Sequence, residues 1–130
     1  MNFRKLSKVK TLFTILVFYL FGVVATSAAA VSQVTVVQTK DTAAYVEKLK
    51  EGQALLNSMN SSGTLKAWQA TIAGSSSGAI AVVVEWENMS AFAMDSEKIQ
   101  NSEEWANWLA SLGKIRKILS VSLYSELELD

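Results

Sequence analysis

The chain of 130 residues contains no histidine, no cysteine and no proline. Without the first two, imidazole- or thiolate-held metals, Ser–His and Cys–His catalytic pairs, disulfides and thiol redox chemistry are excluded. A lipid-anchored N-terminal cysteine is excluded with them. The absence of proline leaves the turns to glycine, serine and asparagine. No aspartate-rich loop of the calcium-binding pattern occurs, so neither a metal nor a cofactor is expected. Twelve basic and twelve acidic residues cancel, and nothing recommends nucleic acid as a partner. What remains is 50% hydrophobic and 18% charged, the composition of one compact domain.

The neutral total hides an asymmetry. Arg4, Lys5, Lys8 and Lys10 are the only charges in the first thirty residues, followed by an apolar run from Leu12 to Ala25 and by Thr26-Ser27-Ala28-Ala29-Ala30. A basic head, an apolar middle and small residues ending in Ala-x-Ala make up a secretory signal. Residues 1–30 are therefore expected to be a signal peptide cleaved after Ala30, and the protein to be exported, either periplasmic or secreted. The alternative is an uncleaved membrane anchor over residues 12–30, close to the roughly 20 residues that span a bilayer. Only through that segment would the protein touch a membrane. Residues 31–130 then form a single domain with eight bases against twelve acids, a net charge of −4. So small a domain, with no disulfide brace, is helped by an oligomeric interface.

Along that domain, residues 32–40 read as a strand, with Val34, Val36 and Val37 among Thr35, Gln38 and Thr39. Asp41 is suited to cap a helix running to Met59, whose stripe is Tyr45, Leu49, Gly52, Leu56 and Met59. Strands over 64–73 and 79–87 flank Gly74-Ser75-Ser76-Ser77-Gly78 and read as a hairpin. That loop lacks the Gly-Lys-Ser/Thr ending of a phosphate cradle and leads into a strand. A short helix is expected over 90–99, using Ala91, Phe92, Met94 and Ile99. A second follows from an Asn101 cap, with Trp105, Trp108, Leu109 and Leu112 on one face and Gly113 at its end. Lys114, Arg116 and Lys117 beside that C-terminus complement the helix dipole. A last strand spans 118–129.

The order β-α-β-β-α-β predicts an α+β, ferredoxin-like domain: a four-stranded antiparallel sheet with the helices on one face. The other face is read from strand parity as Thr35, Val37 and Thr39, then Ala67, Gln69 and Thr71, then Ser120, Ser122 and Tyr124. It is nearly free of charge, and the third strand is apolar on both sides from Ala79 to Val84. A covered face is implied, and a homodimer is the simplest cover. Gln69, Thr71, Ser122 and Tyr124 are expected to line a common cavity there, with Glu85 near its rim. Glu85 is a general base if it points into a closed barrel and a solvated acid if it lies at the strand end. Trp105 and Trp108 read as core, and Trp68 and Trp86 as strand aromatics packed under the helices.

The run Gly78-Ala79-Ile80-Ala81-Val82-Val83-Val84-Glu85-Trp86-Glu87-Asn88-Met89-Ser90-Ala91-Phe92-Ala93 resembles the third strand and following helix of the dimeric α+β barrel superfamily. Asn101-Ser102-Glu103-Glu104-Trp105 is similar to the start of its next helix. The superfamily includes NIPSNAP-like, antibiotic-biosynthesis-monooxygenase and stress-responsive barrel proteins. The resemblance implies two sheets packed face to face across a dimer axis around a ligand-sized cavity. Its haem-binding members use a histidine that this chain lacks. Its monooxygenases act without metal or flavin through Trp, Asn, Tyr or a base, for which Trp68, Trp86 and Tyr124 qualify by residue type alone. Two functions follow: a non-enzymatic module that binds a small, partly apolar molecule or a partner, or a cofactor-independent monooxygenase or isomerase. An acid or phenol facing a closed pocket favours the second; a neutral pocket favours the first.

Overall fold

The computed structural model describes residues 29–129. The signal or anchor expected over residues 1–30 lies almost wholly outside them. The elements are β1 (Val31–Gln38), α1 (Thr42–Ser58), β2 (Thr64–Gln69), a single 3-10 turn (Gly74–Ser76), β3 (Ile80–Trp86), α2 (Met89–Gln100), α3 (Glu103–Leu112) and β4 (Lys117–Ser125). All strands pair antiparallel in the order β2-β3-β1-β4. This is the expected ferredoxin-like arrangement.

Local chemistry sets the boundaries. Asp41 caps α1, its Oδ1 accepting the Ala44 N–H at 3.0 Å, a contact worth about 1 kcal/mol. The expected stripe is the buried face: Tyr45, Leu49, Gly52 and Leu56 all lie inside. Asn60 adopts the left-handed conformation (φ 55°) just beyond the helix, one that asparagine tolerates. Asn88 caps α2 through the Ala91 N–H at 2.9 Å. The cap of α3 is Ser102, whose Oγ accepts from Trp105 N at 3.1 Å, and not Asn101, which ends α2. Strands β2 and β4 stop earlier than their sequence patterns, at Gln69 and Ser125.

Cross-strand partners share a face, so the register assigns every strand residue. Val37, Ile80 and Gln69 form one row, Thr35, Val82 and Ala67 the next, and Gln33, Val84 and Leu65 a third. These rows lie under the helices, where Val37, Ile80 and Val82 join Tyr45, Leu49, Trp108 and Leu112 in one core. Each such fully buried side chain contributes roughly 1.5–3 kcal/mol. The opposite, open face carries Ser32, Val34 and Val36 from β1, Ala81, Val83 and Glu85 from β3, Thr64, Lys66 and Trp68 from β2, and Ser120, Ser122 and Tyr124 from β4.

Parity is therefore as expected for β4 and inverted for β1 and β2. Thr35 and Val37 belong to the covered face, and Val37 is wholly buried. Thr39 lies past the strand end, donating its hydroxyl to Ile115 O at 2.7 Å. Trp68 is not packed under the helices; it stands on the open face, 64% exposed.

The helices are tied to one another and to the sheet by polar bridges. Trp108 of α3 donates its indole N–H to Lys48 O of α1 at 2.9 Å. Gln53 of α1 accepts from Leu65 N of β2 at 2.8 Å. Gly52 permits the approach of the two helices, because a β-carbon there would come within 2.5 Å of the Trp108 ring. No helix packs over β4, whose Ile118, Leu119, Val121 and Leu123 stay exposed although they are apolar.

Candidate functional site

Between the helix-covered face of the sheet and α2 and α3 lies a cavity of about 580 Å³, within the usual range for a small-molecule site. Its floor includes Gln33 and Thr35 of β1 with Val82 and Val84 of β3, and its roof includes Phe92, Ser96, Ile99 and Gln100 of α2. Trp86, Trp105 and Trp108 complete an aromatic lining. Trp86 and Phe92 meet edge to face with centroids 4.9 Å apart, and Trp105 lies 4.6 Å from Trp108, separations at which aromatic pairs attract. On the uncovered side the wall is Val121 and Leu123 of β4. The polar side chains on this face are few: Gln33, Thr35, Ser96, Gln100 and one cation, Arg116; Ser122 borders the cavity from β4 with its side chain on the other face. No carboxylate lines it.

The roof is held by a buried carboxylate. Asp95, 3% exposed, sits on α2 with its Oδ2 pointed at the α1–β2 connection and the end of β3. That oxygen accepts from Ser61 Oγ at 2.6 Å, Trp86 Nε1 at 2.8 Å, Ser62 N at 2.9 Å and Gly63 N at 3.2 Å. Burial alone would raise the Asp95 pKa, but the hydrogen bonds from Ser61, Trp86, Ser62 and Gly63 outweigh it and hold the group below its ordinary 3.8. The carboxylate is thus a structural anchor, its Oδ2 held by donors from four residues, and Asp95 is not among the residues that line the cavity. Gly63 is needed for the approach, since a β-carbon there would lie 3.0 Å from the Trp86 nitrogen.

The residues nominated from sequence fall in three places. Glu85, Ser122 and Tyr124 share the open face, with Ser32 standing between Glu85 and Tyr124 in one row. Gln69 is on the opposite face, in the row of Ile80. Thr71 lies in the bend after β2. A cavity common to all five does not form. The reason is strand parity: β2 is offset by one residue from the assumed phase, which exchanges its two faces. Glu85 is paired with Lys66 at 2.9 Å on a solvent-facing surface, an arrangement worth at most about 1 kcal/mol. Tyr124 is 58% exposed. Neither lines the cavity beneath the helices.

The sequence pattern singles out neither Asp95 nor Gln33, and it places Arg116 only beside a helix C-terminus. Asp95 carries a signal in hindsight: with Phe92, Ser96 and Ile99 it falls at i, i+3, i+4 and i+7 on the inward face of α2, where an acid requires partners. Arg116 was assigned to the helix dipole, and its orientation could not be read from spacing.

No protein-family model matches the chain, and no curated protein matches it. Solved structures do. A NIPSNAP-like domain protein from Burkholderia xenovorans superimposes with a TM-score of 0.56 at 8% identity, over 79% of this chain and 88% of that one. A conserved protein of unknown function from Bacteroides thetaiotaomicron VPI-5482, provisionally described as an oxidoreductase, gives 0.55 at 10% identity, over 77% of this chain and all of that one. A protein from Bordetella bronchiseptica, provisionally named an antibiotic biosynthesis monooxygenase, gives 0.53 at 12% identity, over 78% and 98%.

The buried carboxylate yields a prediction. Asp95→Ala leaves the Trp86 and Ser62 N–H groups without their acceptor, and the Gly63 N–H with Ser61 Oγ alone, and should destabilise the fold by about 3 kcal/mol, read from the denaturant midpoint. Because the folded pKa lies below the unfolded one, the native carboxylate stabilises fully above about pH 4, and that contribution fades as pH falls through the folded value. In Asp95→Asn the acid-induced loss should be correspondingly smaller; an unchanged acid unfolding profile would contradict the assignment.

At these identities the likeness establishes the fold and no activity: the chain has the ferredoxin-like α+β fold, shared with a NIPSNAP-like domain protein and with a protein provisionally named an antibiotic biosynthesis monooxygenase.

Proposed function

We propose that the protein is exported and binds a small, partly apolar molecule in the cavity between the sheet and α2 and α3, as a homodimer joined through the open sheet face. The observation that carries the binding reading is the lining of that cavity: four aromatic rings, aliphatic side chains, a few neutral hydrogen-bonding groups and one guanidinium, with no acid or phenol among them. Such a lining suits retention of a ligand. The name given to one of the structural relatives suggests oxygenase chemistry as the alternative, but a proton abstraction in this cavity would lack a base, and Glu85 and Tyr124 stand on the other face.

The dimer is supported by the open face. Val34, Val36, Ala81 and Val83 lie at its centre, half-buried, flanked by exposed Trp68 and Tyr124. The charges there are the mutually paired Lys66 and Glu85 and, at the end of β4, Lys117 opposite Gln38. A specific interface covers about 800 Å² per partner, apolar area contributes about 25 cal/mol per Å², and a second copy is the simplest cover for a face whose centre is apolar.

Three measurements test the proposal. Neutral N-phenylnaphthylamine should bind with quenching of tryptophan emission, and Thr35→Phe, which fills the floor, should weaken it by more than about tenfold at unchanged circular dichroism. Undiminished binding to that variant would exclude the cavity. In sedimentation, Val83→Asp should convert the dimer to a folded monomer, whereas Val37→Asp, under the helices, should unfold the chain. A folded native monomer at micromolar concentration would refute the interface. N-terminal sequencing of protein from its host should begin near Val31; an intact Met1 form in membranes would favour the anchor.

A further inference from the structure

The cavity carries one charge, and its placement narrows the ligand. Arg116 lies between the end of α3 and the start of β4, with its backbone fixed from both sides: its N–H donates to Leu112 O at 3.2 Å, and the preceding carbonyl, of Ile115, accepts from Thr39 Oγ1 at 2.7 Å. Its side chain is half-buried and reaches the wholly buried Tyr45, donating from Nη1 to the phenolic oxygen at 3.2 Å. That bond uses one of five guanidinium N–H donors. Arg116 forms no ion pair with any described residue, although exposed lysines elsewhere do. It lines the 580 Å³ cavity.

The surroundings strengthen the same sign. A neighbouring cleft shares Arg116 with the cavity and is lined by Lys40, Lys114 and Lys117. Half of the eight bases of residues 31–130 thus gather at one end of a domain whose net charge is −4. The one acid in that cleft is Asp41, whose Oδ1 is engaged in capping α1. A partly desolvated guanidinium with spare donors, inside a positive field and beside an aromatic chamber, matches a flat anionic group on an apolar body.

Resting on the binding reading above, we infer that the ligand is an amphipathic monocarboxylate, with an aryl or acyl body among Trp86, Phe92, Trp105 and Trp108 and its carboxylate on Arg116. The inward-facing donors of the guanidinium take the two carboxylate oxygens, and Tyr45 fixes the plane of the fork. The lysines of the adjacent cleft raise the local concentration of the anion without touching it.

The experiment compares phenylbutyrate with phenylbutanol, which share a body and differ in charge, titrated into the native protein while tryptophan emission is followed. The acid should bind at least about tenfold more tightly at low ionic strength, and the advantage should shrink as salt is added. Arg116→Gln should bring the acid down to the affinity of the alcohol and leave the alcohol unchanged; Arg116→Lys should keep part of the difference. Equal affinities in the native protein overturn the inference while the cavity stands. An Arg116→Gln variant that keeps the preference for acid overturns it as well. Failure of both compounds to bind refutes the cavity reading and this inference together. Should Arg116→Gln not fold, the native acid-to-alcohol ratio and its salt dependence still decide.

Discussion

The carboxylate of Asp95 is the interaction on which the site depends. Through one oxygen it gathers the α1–β2 connection, the last residue of β3 and the middle of α2. Without it, the buried indole nitrogen of Trp86 would have no acceptor, a cost of the order of 1–3 kcal/mol, and the Ser62 amide would lose its own while Gly63 kept only Ser61 Oγ. With it, Trp86 is fixed at the right angle to meet the edge of Phe92, and α2 is held over the sheet at a height that leaves a chamber. Polar saturation here specifies the geometry of an apolar space.

That chamber exists because the helices cover the sheet unevenly. α1 and α3 close on each other around Gly52 and Trp108, and the dense core of Tyr45, Leu49, Val82 and Leu112 fills the space below them. Toward β4 no helix continues the layer. The sheet there presents Val121 and Leu123 without cover, and the neighbouring positions on β1 are Gln33 and Thr35, whose polar ends suit a surface that meets a ligand or water better than a closed core.

Element order, helix stripes and most caps were legible because each rests on short-range chemistry. Asp41 caps whatever lies above it, and Tyr45, Leu49, Gly52 and Leu56 face inward because 3.6-residue periodicity leaves no other choice. Strand faces were less legible. In β1, Val34, Val36 and Val37 put apolar side chains on both sides, so alternation carries no sign, and the pairing with β4 shifts register between Val36 and Val37. In β2, the indole of Trp68 looks like core and instead faces outward, because its cross-strand partner Ala81 belongs to the open face. One inverted phase in β2 separates Gln69 from Tyr124. Arg116 was invisible for a different reason: spacing places it after a helix, while only the tertiary contact with Tyr45 aims it.

The two faces of the sheet are not independent in the proposed assembly. β4 is an edge strand with no helix above it, and its alternate residues serve both purposes: Val121 and Leu123 wall the cavity, while Ser120, Ser122 and Tyr124 lie on the face assigned to the second copy. Only β1 pairs with it along its length. A strand so lightly held frays more readily than a central one, and fraying would open the cavity beside Arg116. A partner seated on Ser122 and Tyr124 clamps β4 from the opposite side and keeps Val121 and Leu123 in place. Dimer formation and ligand retention are then linked through a single strand, and the apolar residues left exposed on β4 are where that linkage is carried.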